Sequence, residues 1–365
     1  MSSAEIIAVH AGGNACYHIT IAKDYQELPD ALESLQMARR RVFVVSETNV
    51  APLHAEGLLE ALKPLCGETH LYVFPAGEEQ KRLETVTDLV RFLDRHMADR
   101  GDILVSLGGG VCSDLTGFAA AVYLRGIRVV HIPTSLLAMA DASVGGKTGV
   151  NFDCVKNRIG AFHQPSAVYM NLSLLDTIGD REYRSGFAEM IKHGLLGDRE
   201  LYRKLREDAA RLLARDYNSL AGVMKSNCRV KERIVEEDPR DEGVRALLNL
   251  GHTVGHALEE AEGFGLLHGE CVAAGCAAAA YLSMRRGYIS SEDYREIRDT
   301  FEAFGLPTVI PGLPKEEILQ LSKKDKKMVG GILHFVVLAE IGRAEIRQDV
   351  TEDELRSAID SIAVE

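Results

Sequence analysis

The sequence predicts an α/β domain built on a mainly parallel sheet, followed by an all-helical domain. Short β-branched runs alternate with polar helical stretches through the first half, and the strand signal nearly vanishes from about Asp180. The length of 365 residues exceeds one typical core. The boundary falls near Ile178-Gly179-Asp180, which gives an α/β domain over 1–178 and a helical domain over 179–365. There is no internal repeat or low-complexity linker, so the two are expected to pack closely, with a small-molecule site in the cleft between them.

Arg41-Val42-Phe43-Val44-Val45 reads as a buried strand followed by a turn at Glu47-Thr48-Asn49. His70 to Phe74 is a second strand, ended by Pro75-Ala76-Gly77. From Lys81 to Arg100, Leu83, Val86, Leu89, Val90 and Leu93 form one helical stripe. Asp102 to Leu107 is a strand that runs into Gly108-Gly109-Gly110, and Arg128 to Ile132 is another, closed by Pro133. Strands alternating with helices imply right-handed crossovers. In the second half Glu200 to Arg215, Val223 to Glu236, His252 to Ala261, Val272 to Arg286 and Asp293 to Phe304 read as helices. His334 to Leu338 reads as a short hairpin or edge strand.

A formal net charge of -12 argues against a general nucleic-acid binder, because no basic surplus is available to neutralise phosphates. An apolar fraction of 46% and a charged fraction of 26% are ordinary for a globular enzyme. Seven cysteines without C-x-x-C spacing read as reduced thiols. No secretory signal is visible, and the apolar run Cys271 to Met284 is too short to span a bilayer. A cytoplasmic location with no membrane partner is expected.

Two stretches carry most of the chemistry. Asp141-Ala142-Ser143-Val144-Gly145-Gly146-Lys147-Thr148, continuing to Lys156-Asn157, combines glycines with amines and suits anionic oxygens. Asn249-Leu250-Gly251-His252-Thr253-Val254-Gly255-His256, followed by His268-Gly269-Glu270, has imidazoles at helical spacing and suits a metal. His252 and His256 share a helix face, and Glu259 lies three residues beyond His256 and is positioned to join them. A helical histidine pair also occurs as a hydrogen-bonded surface or core feature, and His268, on a loop before the alanine-rich helix, shifts the balance toward metal. Glu189 and Lys192 offer a carboxylate and an amine on one face of another helix. Two imidazoles and a carboxylate make a catalytic zinc set with one coordination position open. Gly108-Gly109-Gly110 has the form of a dinucleotide-binding turn, although Ser113 stands where the third glycine belongs; a plain strand–helix turn is the alternative. Asp114 also reads as an N-cap. Gly146-Lys147-Thr148 is not a phosphate loop, because Asp141 replaces the first glycine and the residues before it look helical.

Read together, these segments resemble the 3-dehydroquinate synthase family of sugar-phosphate cyclases from Pro75-Ala76-Gly77-Glu78 to about Gly342. The specific parts are Gly108 to Val111 with Asp114 to Phe118, Asp141 to Asn151, Lys156-Asn157 with Ile159 to Phe162, and Asn249 to Glu259. The resemblance implies a Rossmann-like N-terminal domain and a helical metal-binding C-terminal domain. It implies zinc, with cobalt as the alternative, at Glu189, His252 and His268. NAD is expected along Glu78, Lys81, Gly109, Gly110, Val111, Asp114, Thr134, Ser135 and Thr177, with Asn49 near its ribose and Lys147 and Lys156 between cofactor and substrate. Asp141, Asn157, Lys192, Lys231, Arg245, Asn249 and His256 match the family's substrate-contacting set. Lys327, with Lys326 as the alternative, matches a family lysine in the late charge run. Arg125 matches an arginine that the family inserts across a homodimer interface. Glu47, Cys112, Ser113, Asn171 and Gly179 depart from the family pattern, and none belongs to the metal or substrate set.

The implied reaction converts 3-deoxy-D-arabino-heptulosonate 7-phosphate to 3-dehydroquinate and phosphate in the shikimate pathway. It proceeds by transient NAD oxidation, phosphate elimination, re-reduction, ring opening and intramolecular aldol closure. The rivals are another sugar-phosphate cyclase, a metal-dependent NAD alcohol dehydrogenase and a silent binding protein. Arg245, Asn249 and Lys327, suited to a substrate carboxylate, speak against the first.

Overall fold

The computed structural model describes residues 4–11, 14–153, 155–261, 265–323 and 334–364, so that Cys154, Lys326 and Lys327 lie outside the described residues. Two units separate, Met1–Gly179 with Lys231–Arg240, and Asp180–Val230 with Asp241–Glu365.

In the first unit the chain runs β1 (Glu5–Ala11), β2 (Asn14–Ala22), α1 (Leu28–Leu32), β3 (Arg41–Glu47), α2 (Ala51–Leu62), β4 (Glu68–Phe74), α3 (Leu83–Arg95), β5 (Ile103–Gly108), α4 (Gly110–Val122), β6 (Arg128–Pro133), β7 (Lys147–Phe152), β8 (Val155–Phe162) and β9 (Ala167–Asn171). Seven strands form one sheet in the order β1-β2-β9-β6-β5-β3-β4, parallel except for the antiparallel pair β1–β2. Both faces are covered. Val42 and Val44 pack with Leu58 and Leu62 of α2, while Phe43 and Val45 pack with Leu89 and Leu93 of α3 and Leu115 of α4. A strand buried on both sides reads as an unbroken apolar run, as Val42 to Val45 does. Each such side chain contributes about 1.5–3 kcal/mol of burial.

The strand order reverses between β3 and β5, since β4 lies outside β3 while β6 lies on the far side of β5. Such a switch point opens a crevice at the carboxyl ends of the strands. The turn at Gly108-Gly109-Gly110 leaves β5 there, and Asn49 follows β3 beside it. Lys231–Arg240 is tied to this unit by the Lys231–Asp141 ion pair (2.6 Å) and by Glu236, whose Oε1 accepts the His10 backbone N–H at 2.7 Å.

The second unit contains α5 (Asp180–Gly197), α6 (Arg199–Glu207), α7 (Ala209–Leu213), the first part of α8 (Tyr217–Glu237), α9 (His252–Ala261), α10 (His268–Arg285), α11 (Ser291–Ala303), α12 (Lys315–Ser322) and α13 (Glu352–Ser361). Ser290 caps α11 by accepting the Asp293 N–H at 3.0 Å. Two small sheets add to the helices: β10 (Ile310–Pro311) pairs with β13 (Ala363–Val364), and β11 (Phe335–Glu340) with β12 (Arg343–Arg347). The latter is the hairpin expected at His334 to Leu338.

Glycines set the helix spacing around α10. A Cβ on Gly275 would lie 2.0 Å from the Gly251 carbonyl oxygen, and one on Gly269 would lie 2.0 Å from that of Ser185. These close approaches press α10 against the start of α9 and against α5.

Several local expectations change. The helix after the triple glycine begins at Gly110, so Asp114 sits in its second turn and is not an N-cap. His268 is the first residue of α10 and not a loop residue. Glu200 to Arg215 divides into two helices at Asp208. Lys147 to Phe162, which the sequence marks for anion-binding character without assigning an element, is the hairpin β7–β8.

Candidate functional site

The glycine turn of the first unit is built for close approach. Gly109 is extended (φ -75°, ψ -167°), and α4 opens at Gly110, where a helix presents its first amides and positive dipole end. Thr134 N–H donates to the Gly108 carbonyl at 3.0 Å, which draws Thr134 and Ser135 alongside the turn. Val111 and Asp114 follow in the first two turns of α4.

One network gathers the next group of predicted residues. Lys81, only 6% exposed, donates from Nζ to Asp114 Oδ2 and to Asn157 Oδ1, each at 2.6 Å. Burial pushes the Asp114 carboxyl up from its ordinary value, against the opposing pull of Lys81. Asn157 has φ +52° and donates its N–H to Asn151 Oδ1 at 2.9 Å. Asn151 in turn donates from Nδ2 to Glu78 Oε1 at 2.9 Å. Glu78, Lys81, Asp114 and Asn157 are therefore one connected set, and Asn151 is its link. Asn151 had no role in the sequence reading; the only signal was its place at the end of the matched segment Asp141 to Asn151.

Other predicted residues of this unit have further contacts. Asp141 pairs with Lys231 at 2.6 Å, and the same ammonium donates to the Asp141 carbonyl. Asn49 is exposed and donates its N–H to Glu47 Oε2 at 2.7 Å. Thr177 Oγ1 meets His54 Nε2 at 2.7 Å. Lys147 and Lys156 are both exposed, but Lys147 pairs with Phe162 at one end of the hairpin whereas Lys156 follows Val155 at the other. Their backbones are separated by about 13 Å along the strands. Arg125, with φ +68°, stands exposed in the turn after α4 beside the exposed Leu124 and Val122.

In the second unit three elements converge on one point. Glu189 comes from α5, His252 opens α9 and His268 opens α10, and their ligand atoms all lie within 4.8 Å of one another. His252 Nε2 is 3.6 Å and His268 Nε2 is 3.4 Å from Glu189 Oε1. Donors bound tetrahedrally at zinc distances sit about 3.3 Å apart, so this spacing fits a cation better than direct hydrogen bonds. Glu189 is 0% exposed, and neither of its carboxylate oxygens has a hydrogen-bond partner of good geometry. Lys192, 1% exposed, forms an ion pair with its Oε2.

The electrostatics agree with a cation site. Burial opposes charge on Glu189, but Lys192 and the imidazoles of His268 and His252 hold its carboxyl well below the ordinary range. Burial, reinforced by Lys192, holds His252 well below its ordinary value and so neutral. Burial also opposes charge on His268, yet its contacts with Glu189 and Glu259 push it up to about 9. The pocket thus favours one positive charge in addition to Lys192, which a proton or a metal ion can supply. The described donors, one carboxylate and two imidazoles, fit zinc and leave a position for a substrate oxygen.

Around this centre, Arg245 is buried on the 3₁₀ turn Val244–Asn249, while Asn249 at its end is exposed. His256, one turn beyond His252, has its ring centroid 5.0 Å away and is exposed. Glu259 is not among the three converging ligands; it meets the far side of His268. Glu270 fixes the start of α10 by accepting the Leu267 N–H at 2.8 Å and two bonds from Arg181 at 2.7 Å.

Comparison with known proteins agrees with both halves of this description. The family models for the N-terminal and C-terminal parts of 3-dehydroquinate synthase match residues 71–185 and 186–328. The chain is 44% identical over 343 residues to a 3-dehydroquinate synthase of Nitrosospira multiformis, covering 94% of this chain and 91% of that one. It is 45% identical to one of Acidithiobacillus ferrooxidans, over 88% of each chain. Among solved structures, 2-epi-5-epi-valiolone synthase of Streptomyces hygroscopicus subsp. jinggangensis, with NAD+ and Zn2+ bound, superposes with a TM-score of 0.88 at 29% identity, covering 97% of this chain and 98% of that one. A 2-deoxy-scyllo-inosose synthase shares the fold, with a TM-score of 0.85 at 22% identity over 98% and 99% of the two chains. With two adjoining family models matched over residues 71–328 and relatives of such identity over most of its length, the chain belongs to the 3-dehydroquinate synthase family.

Proposed function

We infer that the chain converts 3-deoxy-D-arabino-heptulosonate 7-phosphate to 3-dehydroquinate and inorganic phosphate, a carbon–oxygen lyase reaction of the shikimate pathway. The convergence of Glu189, His252 and His268 carries this reading, together with family membership. A divalent cation held by these three, zinc or cobalt, supplies Lewis-acid polarisation of a substrate oxygen, and NAD supplies a hydride acceptor that is regenerated within the turnover. The open amides at Gly110 and the turn residues Gly109, Val111, Thr134 and Ser135 suit the pyrophosphate of that dinucleotide, with Asn49 and Thr177 at its periphery.

The chain's own residues then bind and orient the sugar phosphate. Lys231 pairs with Asp141 at 2.6 Å and so holds a carboxylate placed to accept a hydrogen bond from a substrate hydroxyl. Lys192 holds a proton at Nζ next to the cation site and offsets negative charge that develops on a substrate oxygen. Buried Arg245 suits a bidentate grip on the substrate carboxylate, and Asn249 and His256 offer further polar groups to the substrate. Lys147, Lys156, Asn157 and, outside the described residues, Lys327 add amines and an amide for carboxylate and phosphate oxygens. The departing phosphate is itself a base able to take up the proton released in the elimination.

The test is phosphate release from the heptulosonate substrate with catalytic NAD. Stoichiometric phosphate, a carbocyclic product and no net NADH are expected; steady NADH accumulation with an alcohol would instead favour a dehydrogenase. The exposed Arg125, Leu124 and Val122 support a homodimer in which Arg125 reaches the partner's phosphate site. Light scattering should give twice the monomer mass, and a fully active monomer would contradict it. Free thiols at Cys16, Cys66, Cys112 and Cys276 fit a reducing, cytoplasmic setting. Among the described residues no helix is long and apolar enough to cross a membrane.

A further inference from the structure

We propose that Glu259 is a positioning residue of the cation site, acting through His268. The proposal rests on the reading of Glu189, His252 and His268 as ligands and assigns the group that orients one of them. His268 Nδ1 lies 2.9 Å from Glu259 Oε1, and Glu259 is 6% exposed. A carboxylate only accepts hydrogen bonds, so this contact places the proton on Nδ1. The neutral ring then carries its lone pair on Nε2, the atom that faces Glu189 Oε1 at 3.4 Å. Had the proton been on Nε2, the ring would present a donor to the cation and two acceptors would oppose each other at Nδ1.

His252 is oriented by the same logic through a weaker group. Its Nδ1 lies 3.2 Å from the Leu250 carbonyl, which also only accepts. Both rings therefore direct Nε2 lone pairs into one space, one backed by a neutral carbonyl and the other by a carboxylate. The difference has a physical reason. His268 is the first residue of α10, where the positive end of the helix dipole withdraws electron density from the ring and weakens it as a ligand. An anion at Nδ1 offsets that effect and raises ligand basicity. Glu259 is able to do this because it is seven residues beyond His252, two turns along the same face of α9, and so reaches the first turn of α10. The side chain that looks in sequence like a fourth ligand acts behind a ligand instead.

Zinc affinity of the full chain, measured by competition with a chromophoric chelator, tests this assignment. Glu259→Gln keeps an acceptor oxygen but removes the charge, and Glu259→Leu removes both. Outer carboxylates of this kind typically contribute about 10–100-fold in metal affinity. Roughly tenfold weaker zinc binding is expected for E259Q and up to about a hundredfold for E259L, with helical circular dichroism retained. In the zinc-bound wild type, ¹⁵N spectra of labelled histidine should show His268 protonated at Nδ1 and bound through Nε2, a signature that a merely packing role would not set. Affinities of both variants within twofold of wild type, or zinc bound through His268 Nδ1, would overturn the proposal. Should E259L fail to fold, E259Q decides. Wild type and His252→Ala form the separate arm: if zinc binds neither, or binds both equally, the cation-site reading itself fails.

Discussion

His252→Ala should reduce kcat at least about a thousandfold while leaving the fold in place. The substitution removes one of three ligands, and Lewis-acid stabilisation by a bound metal contributes several kcal/mol; about 4 kcal/mol corresponds to roughly a thousandfold in rate. The fold should tolerate the change because His252 sits at the start of α9 with its side chain 13% exposed. Phosphate release and zinc content measured on the same preparation check this. Activity near wild type in a zinc-depleted variant would show that the three residues do not carry the chemistry.

Lys192→Met should destabilise the metal-free protein by about 3–5 kcal/mol, and zinc should reverse much of the loss. Removing the ammonium takes the ion-pair partner from the fully buried Glu189 carboxylate and leaves only the imidazoles to offset it, and breaking a buried pair costs about that much. A divalent cation replaces the missing positive charge. At a hundred times its dissociation constant, a ligand that binds only the folded state contributes about 2.7 kcal/mol. The double variant Glu189→Gln with Lys192→Met should lose less stability than Lys192→Met alone, because no isolated charge remains. Urea unfolding with and without zinc reads all three. Equal loss in the single and double variants would mean that the pair contributes only packing.

Much of this arrangement is legible in the sequence, and the illegible parts share a cause. The run Val42 to Val45 announces a strand because both of its faces are buried. By contrast, β1 is the edge strand with β2 next to it, and His10, Asn14 and His18 interrupt their apolar pattern. The hairpin β7–β8 hides behind Gly149, Asn151 and Gly160, which read as loop. Periodicity also does not say which unit a helix end joins: α8 is continuous, yet its end from Lys231 clusters with the first unit through Asp141 and His10. At the cation site, spacing points to His252 with His256, since they share a face. The structure instead brings His252 together with His268, sixteen residues on, because the glycine contacts of α10 bring its first turn to α9 and α5. Residue type put His268 and Glu189 forward as candidates, but only resemblance to the family fixed the set as Glu189, His252 and His268. Neither source gave Asn151 or Glu259 its contact, because hydrogen bonds between distant side chains leave no periodic trace.

The account stands on Glu189, His252 and His268 sharing one divalent ion, and X-ray absorption at the zinc edge of the wild-type protein tests it most directly. One zinc per chain is expected, with a shell of nitrogen and oxygen at about 2.0–2.1 Å that includes two imidazoles and no sulfur. A sulfur shell at about 2.3 Å would place the metal on cysteine and contradict the assignment.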